Sequence, residues 1–441
     1  MKNFAQKSFS LLKRDVMLFV TNTITGIVVA RQLGPELRGL YSIVLLLPGY
    51  AEAFGRIKLD VAAVYFLGKK RSSVGEMIFL LNTTTLATSA LIIFIILYNY
   101  DFIYAKLFAK AAVDMTLVSY SVLLLIPLQF LFLNYSYLTI FREDIKVYNT
   151  MIVMKAMIAS TLSVLALVVF DYGIWGVLGS SIISMIISVT YASIMLSRVE
   201  KMVPKYDFNL LFDMVRYSSR HYLAGIVGHL QSYSTNLLAA LYLSPASVGF
   251  FSMAKNQGDL ITRMVPGAIN TLLYPKIAKS EDIRDSIAST RRSFRISILI
   301  LVLVTILFAA IVRNLVIILY GDDYTPMVTP FLIMIPGIVL FQSASVLNSF
   351  YSGTGRVNTL LFITVIPVII QISLALYMIP AHGVIGASLS YLIACVLVFI
   401  VNVTVFIKIS ESSLADLLIT KSDIRFVYSF VKNTLSLTKN N

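Results

Sequence analysis

Glu52, Arg56 and Asp60 recur at intervals of four inside an otherwise apolar stretch. Lys255, Asp259 and Arg263 repeat that spacing further along the chain with the signs reversed. An interval of four places each trio on one face of a helix. At the centre of a membrane helix a charge costs about 2.5–3.5 kcal/mol on the mildest insertion scale, so such residues face water or one another. Lys58, Lys155, Arg220, His221 and His229 lie in comparable surroundings. Once Glu52, Asp60 and Asp259 are set against partners, basic residues remain in excess. A wet cleft lined by Arg56, Lys58, Arg220, Lys255 and Arg263 would favour an anionic, phosphate-bearing cargo, because the arginine fork of donors matches phosphate oxygens. The acids Glu52, Asp60 and Asp259, with His221 and His229, are candidates for ion pairing or coupling, imidazole titrating near neutrality. Asn22 and Asn236 sit in polar runs, residues 21–25 and 231–236, that could bond sugar hydroxyls or neighbouring helices. The plainer role for all the charges is a set of ion pairs that fasten helices together.

The elements that must carry these residues are apolar. Of 441 residues 58% are hydrophobic and 13% charged, against about 25% charged in soluble domains. The expected fold is all-α and polytopic, with about twelve membrane helices of the length a bilayer demands. They are expected over 13–31, 39–66, 77–99, 116–139, 147–170 and 173–197, then 218–242, 246–273, 294–313, 327–351, 357–379 and 383–407. The chain also repeats itself. Leu33, Pro35, Gly39 and Ser42 return as Leu243, Pro245, Gly249 and Ser252, and Gly173 and Gly176 return as Gly383 and Gly386, all 210 residues on. Self-similarity at one period marks a duplicated architecture. Six spans per half make the halves parallel, related by an axis along the membrane normal. The expected division is an amino-terminal six-helix bundle, 1–205, a second bundle, 206–408, and a cytoplasmic tail, 409–441, amphipathic or loose.

With the amino terminus inside, 25 Lys and Arg fall on cytoplasmic segments and 5 on the opposite loops. That bias sets both termini in the cytoplasm. It also accounts for the net charge of +14 without nucleic acid, for which no binding signature is present. The start of the chain is basic but shows no cleavage site of the signal-peptide kind. One cysteine, Cys395, excludes an intrachain disulfide, and three histidines show no metal-ligand spacing. Gly353-Thr354-Gly355 lacks the Gly-Lys-Ser/Thr of a nucleotide loop. No nucleophile–base grouping stands out, so neither catalysis nor a cofactor is expected.

Three motifs carry a family resemblance. They are Ala30-Arg31-Gln32-Leu33-Gly34-Pro35-Glu36 with Gly39, Tyr41 and Ser42, then Tyr320-Gly321-Asp322-Asp323-Tyr324, and His382-Gly383-Val384-Ile385-Gly386-Ala387. Their order and spacing resemble the polysaccharide transporter family of bacterial flippases, within the superfamily that also holds drug antiporters and lipid II flippases. The resemblance implies two six-helix bundles around a V-shaped central cavity, lined mainly by the first two spans of each half. It implies translocation of undecaprenyl-diphosphate-linked glycans across the bacterial plasma membrane, for O-antigen, capsule or exopolysaccharide. A glycan polymerase and a chain-length regulator are the protein partners that this implies. The alternative is a cation-coupled small-molecule antiporter on the same fold, and a further one is a non-transporting scaffold for a polymerase.

Overall fold

The computed structural model describes residues 2–280 and 282–429, and among them the chain is helical with no strand. The first helices are α1 (Lys2–Val44), α2 (Leu46–Gly55), α3 (Leu59–Gly68), α4 (Val74–Tyr98) and α5 (Tyr100–Leu107). They are followed by α6 (Thr116–Val122), α7 (Leu125–Phe141), α8 (Ile145–Val168) and α9 (Gly173–Val199). Then come α10 (Phe208–Tyr242), α11 (Pro245–Ala278), α12 (Ile283–Tyr320), α13 (Val328–Gly353) and α14 (Val357–Ser410).

Among the described residues eight helical stretches are long and apolar enough to cross a membrane, so this is a multi-pass membrane protein. The expected twelve reduce to eight by this measure for two reasons. First, α10 and α11 carry too much polar and charged side chain to qualify. Second, neighbouring spans run together. The 54 residues of α14 would reach about 80 Å at 1.5 Å per residue, over twice a hydrocarbon core. The helix breaks instead at Gly383, with φ 59° and ψ −134°, and α1 breaks likewise at Gly34, with φ 69° and ψ 173°. Both breaks fall where two expected spans meet. Gly173, one repeat before Gly383, also has positive φ, at 53°. Left-handed backbone strains residues with a Cβ, and glycine fills it without that cost.

The chain forms two compact units. One comprises Met1–His229 with Ser244–Gly249. Its core gathers Leu59, Ala62 and Phe66 of α3, Met77 and Leu81 of α4, Tyr135 and Leu138 of α7, Met185 and Ala192 of α9, and Met214 of α10. Polar side chains tie these helices within the apolar packing. Asn134 donates to Thr85 at 2.8 Å and Asn82 to the Tyr135 hydroxyl at 3.0 Å. Such bonds hold membrane helices where water is excluded.

The other unit comprises Leu230–Leu243 with Phe250–Asn441. Leu273 and Ile277 of α11, Phe294 of α12, Phe350 and Tyr351 of α13, and Phe406 of α14 form its core, together with Leu417 from beyond α14. The stretch after Ser410 is therefore fastened rather than loose as far as it is described. Arg295 donates to Asp423 at 2.7 Å and to the Asp416 carbonyl at 2.7 Å, and Arg291 donates to Ser412. Residues 430–441 of the expected tail lie outside the described residues.

Burial alone would raise the Asp423 carboxyl, but hydrogen bonds from Arg295 and Thr420 outweigh it and hold it below the ordinary range. A carboxyl lowered by folding contributes stability above its unfolded value, near 3.9, and loses it as pH falls through the folded value. Limited proteolysis is thus expected to leave residues 412–429 protected at neutral pH and to cut them increasingly below about pH 4. Asp423→Asn should show the acid pattern at neutral pH.

Candidate functional site

The second expected span is not one helix. It breaks over residues 56–58 between α2 and α3. Lys58 adopts left-handed backbone, φ 54° and ψ 34°, although it is not glycine, a conformation that non-glycine residues hold at a cost of about 1 kcal/mol or more. A helix broken among charges is a common way to build a transporter's binding site. The break frees backbone carbonyls that water would otherwise satisfy. One of them, Phe54, accepts the Tyr222 hydroxyl of α10 at 2.5 Å. Replacing Tyr222 by phenylalanine leaves that carbonyl without this donor. We expect a loss of about 1 kcal/mol, read as a small fall in the melting midpoint in detergent.

Across the break, the charges of the first trio stay together. Arg56 is 6% exposed and Asp60 fully buried, and the two form a direct ion pair. Arg56 also reaches Glu52 at 3.3 Å. The other oxygen of Glu52 accepts from Gln129 of α7 at 2.5 Å. Lys58 is half-buried beside Gly225. Lys155, also half-buried, stands 4.6 Å from the centre of the Phe132 ring, a cation–π distance. His229 packs edge-on against Tyr50, 4.9 Å between ring centres. His221 is exposed, near Tyr217. Asn22 is exposed on α1. Arg220 lies outside the residues whose side chains are described.

The second unit holds its own pair. Lys255 is 5% exposed and donates to Asp259 at 2.9 Å. Its ammonium lies 5.1 Å from the Tyr391 ring and 5.9 Å from the Tyr233 ring. Arg263, one turn beyond Asp259, is exposed, and no ion pair is formed by it among the described residues. Asn236 is half-buried. Nearby, Gln371 of α14 donates to Thr235 at 2.9 Å and to the Gln231 carbonyl at 3.0 Å.

The structure thus sorts the candidates. Arg56 and Lys255 are buried and matched with acids of their own units. Lys58, Lys155 and Arg263 form no ion pair among the described residues. Sequence reasoning missed Gln129, Tyr222 and Tyr391. Nothing in their spacing distinguishes a polar residue facing a charge from one facing another helix.

The profile of a family described as polysaccharide biosynthesis protein matches residues 28–329. The chain belongs to that family. A search of the curated proteins returns no match. Among solved structures, a lipid II flippase MurJ in an inward closed conformation is similar with a TM-score of 0.71 and 12% identity, over 94% of this chain and 89% of that one. An inward-facing multidrug resistance MATE transporter gives 0.68 and 14%, over 90% and 96%. A transporter of the MOP superfamily from Pyrococcus furiosus gives 0.61 and 12%, over 91% and 95%. At such identities the likeness shows the fold, which is that of MOP-superfamily transporters. Membership of the polysaccharide biosynthesis family and the helical, apolar chain agree with it.

Proposed function

We propose that this protein is a flippase that moves undecaprenyl-diphosphate-linked oligosaccharide units from the inner to the outer leaflet of the bacterial plasma membrane by alternating access, with both termini cytoplasmic and twelve crossings. The observation that carries this reading is the excess of cations on the most polar helices of a polysaccharide-biosynthesis chain. Lys58 in one unit and Arg263 in the other, each outside ion pairs among the described residues, are cations of the kind that a phosphate-bearing cargo recruits. Asn22 and Asn236 suit sugar hydroxyls, and the prenyl tail would remain in lipid. Arg56 and Lys255 then shape the site more than they bind cargo, while Glu52, Asp60, Asp259 and His229 are the groups whose pairing could change between states. A glycan polymerase and a chain-length regulator would act on the product.

Gene disruption tests this. Lipid-linked oligosaccharide accumulating on the inner leaflet, with surface polymer lost, is the expected result. Unaltered surface polymer and no trapped intermediate, in a strain without a second flippase, would overturn it. The likeness to a MATE transporter keeps a small-molecule antiporter as the second reading, and drug resistance on expression would favour it. Within the flippase reading, Arg263→Ala is expected to leave the melting midpoint unchanged, since the residue is exposed, and to cut surface polymer sharply at equal protein level. Normal polymer would remove Arg263 from the site.

A further inference from the structure

A cavity of about 410 Å³ opens between the last turns of α11 and the first turns of α12. Two facing stripes line it, Ile269, Leu272, Leu273 and Lys276 on one helix and Ala288, Ser289, Arg292 and Ser293 on the other. Intervals of three and four put each set on one helix face. The α11 wall is therefore mostly apolar and the α12 wall mostly polar, with Lys276 meeting Ser289 across the cavity.

The cations are not spent on acids. Lys276 donates to Ser289 at 2.8 Å, and the Arg292 guanidinium lies 5.0 Å from the Phe426 ring. Among the described residues neither forms an ion pair, whereas their neighbours Arg291 and Arg295 are matched with Asp416 and Asp423. Of the acids that open α12, Asp282 accepts the Arg284 amide as a helix cap, and Asp285 is exposed. Both Lys276 and Arg292 are exposed, and so is Leu272, at 72%. The apolar run of α12 begins just past Ser293, at Ile296. The cavity therefore lies where the polar start of α12 gives way to its apolar run, the kind of boundary at which headgroups meet acyl chains.

We infer that this cavity binds an anionic phospholipid of the surrounding leaflet, its phosphate between Lys276 and Arg292 with Ser289 and Ser293 as further donors, and an acyl chain along Ile269 and Leu272. Basic notches between membrane helices recognise acidic headgroups in this manner. The inference is independent of the transport reading and would stand if that reading failed.

The test uses the full chain in nanodiscs of phosphatidylcholine with one part in five phosphatidylglycerol. Native mass spectrometry counts the phosphatidylglycerol that stays bound on release. The wild type should retain it in preference to phosphatidylcholine. For Lys276→Gln with Arg292→Gln the preference should fall about thirty-fold, as two basic residues at an anionic surface imply. Lys279→Gln with Arg284→Gln removes the same charge outside the cavity and should leave the preference intact. Equal retention by wild type and the cavity variant, or equal loss in the two variants, would overturn the site. Displacement of phosphatidylglycerol by farnesyl diphosphate at one-tenth its amount would overturn the phospholipid assignment in favour of a prenyl diphosphate.

Discussion

Arg56→Ala is expected to lower stability by about 3–5 kcal/mol, the range for removing one partner of a buried pair. Asp60 is fully buried and its ion-pair partner is Arg56. Without Arg56 the buried carboxyl of Asp60 is left in an apolar setting with its ion-pair partner gone, which loses free energy. Glu52 loses a partner as well, but keeps Gln129, so its share is smaller. In detergent the variant should melt well below wild type, or fail to accumulate. Arg56→Leu with Asp60→Leu removes both charges together and should recover most of the loss, since apolar replacement of a complete buried pair is often neutral. A single variant that melts like the wild type would mean that the pair contributes nothing to the fold. The double variant also separates structure from transport. Recovered melting with surface polymer still absent would give the pair a part in the cycle, and recovery of both would make it a fastening between α2 and α3 alone.

That distinction shows what was legible in the chain. The charges, their spacing of four and their placement on the least apolar spans could all be read from the residues. So could the breaks at Gly34 and Gly383, because turns there are marked by Gly-Pro and by a repeated glycine pair. The break after Gly55 could not. Periodicity treats Glu52, Arg56 and Asp60 as one continuous helical face, and nothing in Arg56-Ile57-Lys58 announces left-handed backbone at a lysine. The ion pairs survive the break because long side chains bridge it. Which cations would be left over was equally hidden. Counting charges gives a basic excess but does not say that Arg56 would be held by two acids of its own unit while Arg263, on the opposite trio, would be exposed. Arg56 takes Glu52 and Asp60, and Lys255 takes Asp259, all four residues away as the spacing allows. What the spacing leaves open is that Asp259, with a cation four residues to either side, takes Lys255 and not Arg263.

Gly39→Ala is expected to destabilise the protein, although alanine is favoured over glycine by about 1 kcal/mol inside a helix. The reason is a backbone-to-backbone contact between the two copies of the repeated motif. A Cβ on Gly39 would overlap the carbonyl of Pro245, and one on Gly249 would lie 2.7 Å from the Pro35 oxygen and 3.2 Å from the Gly39 nitrogen. Pro35 and Gly39 of one copy thus meet Pro245 and Gly249 of the other, each proline carbonyl facing the opposite glycine. Neither glycine has positive φ, so the requirement is for space rather than for backbone freedom. Small residues let membrane helices approach this closely, and the packing gained there replaces the hydrophobic drive that lipid removes. The atoms that would clash belong to the main chain, and no flexible side chain can yield, so the helices must separate. Overpacking of this kind costs about 1–3 kcal/mol, and Gly39→Ala should lie near the top of that range. Gly249→Ala, with more room, should cost less. The order of melting midpoints in detergent should be wild type, then Gly249→Ala, then Gly39→Ala. Gly267→Ala on α11, where a Cβ meets nothing, should raise the midpoint through helix propensity. If Gly39→Ala also raised it, propensity would have prevailed and the close contact between the repeats would be refuted.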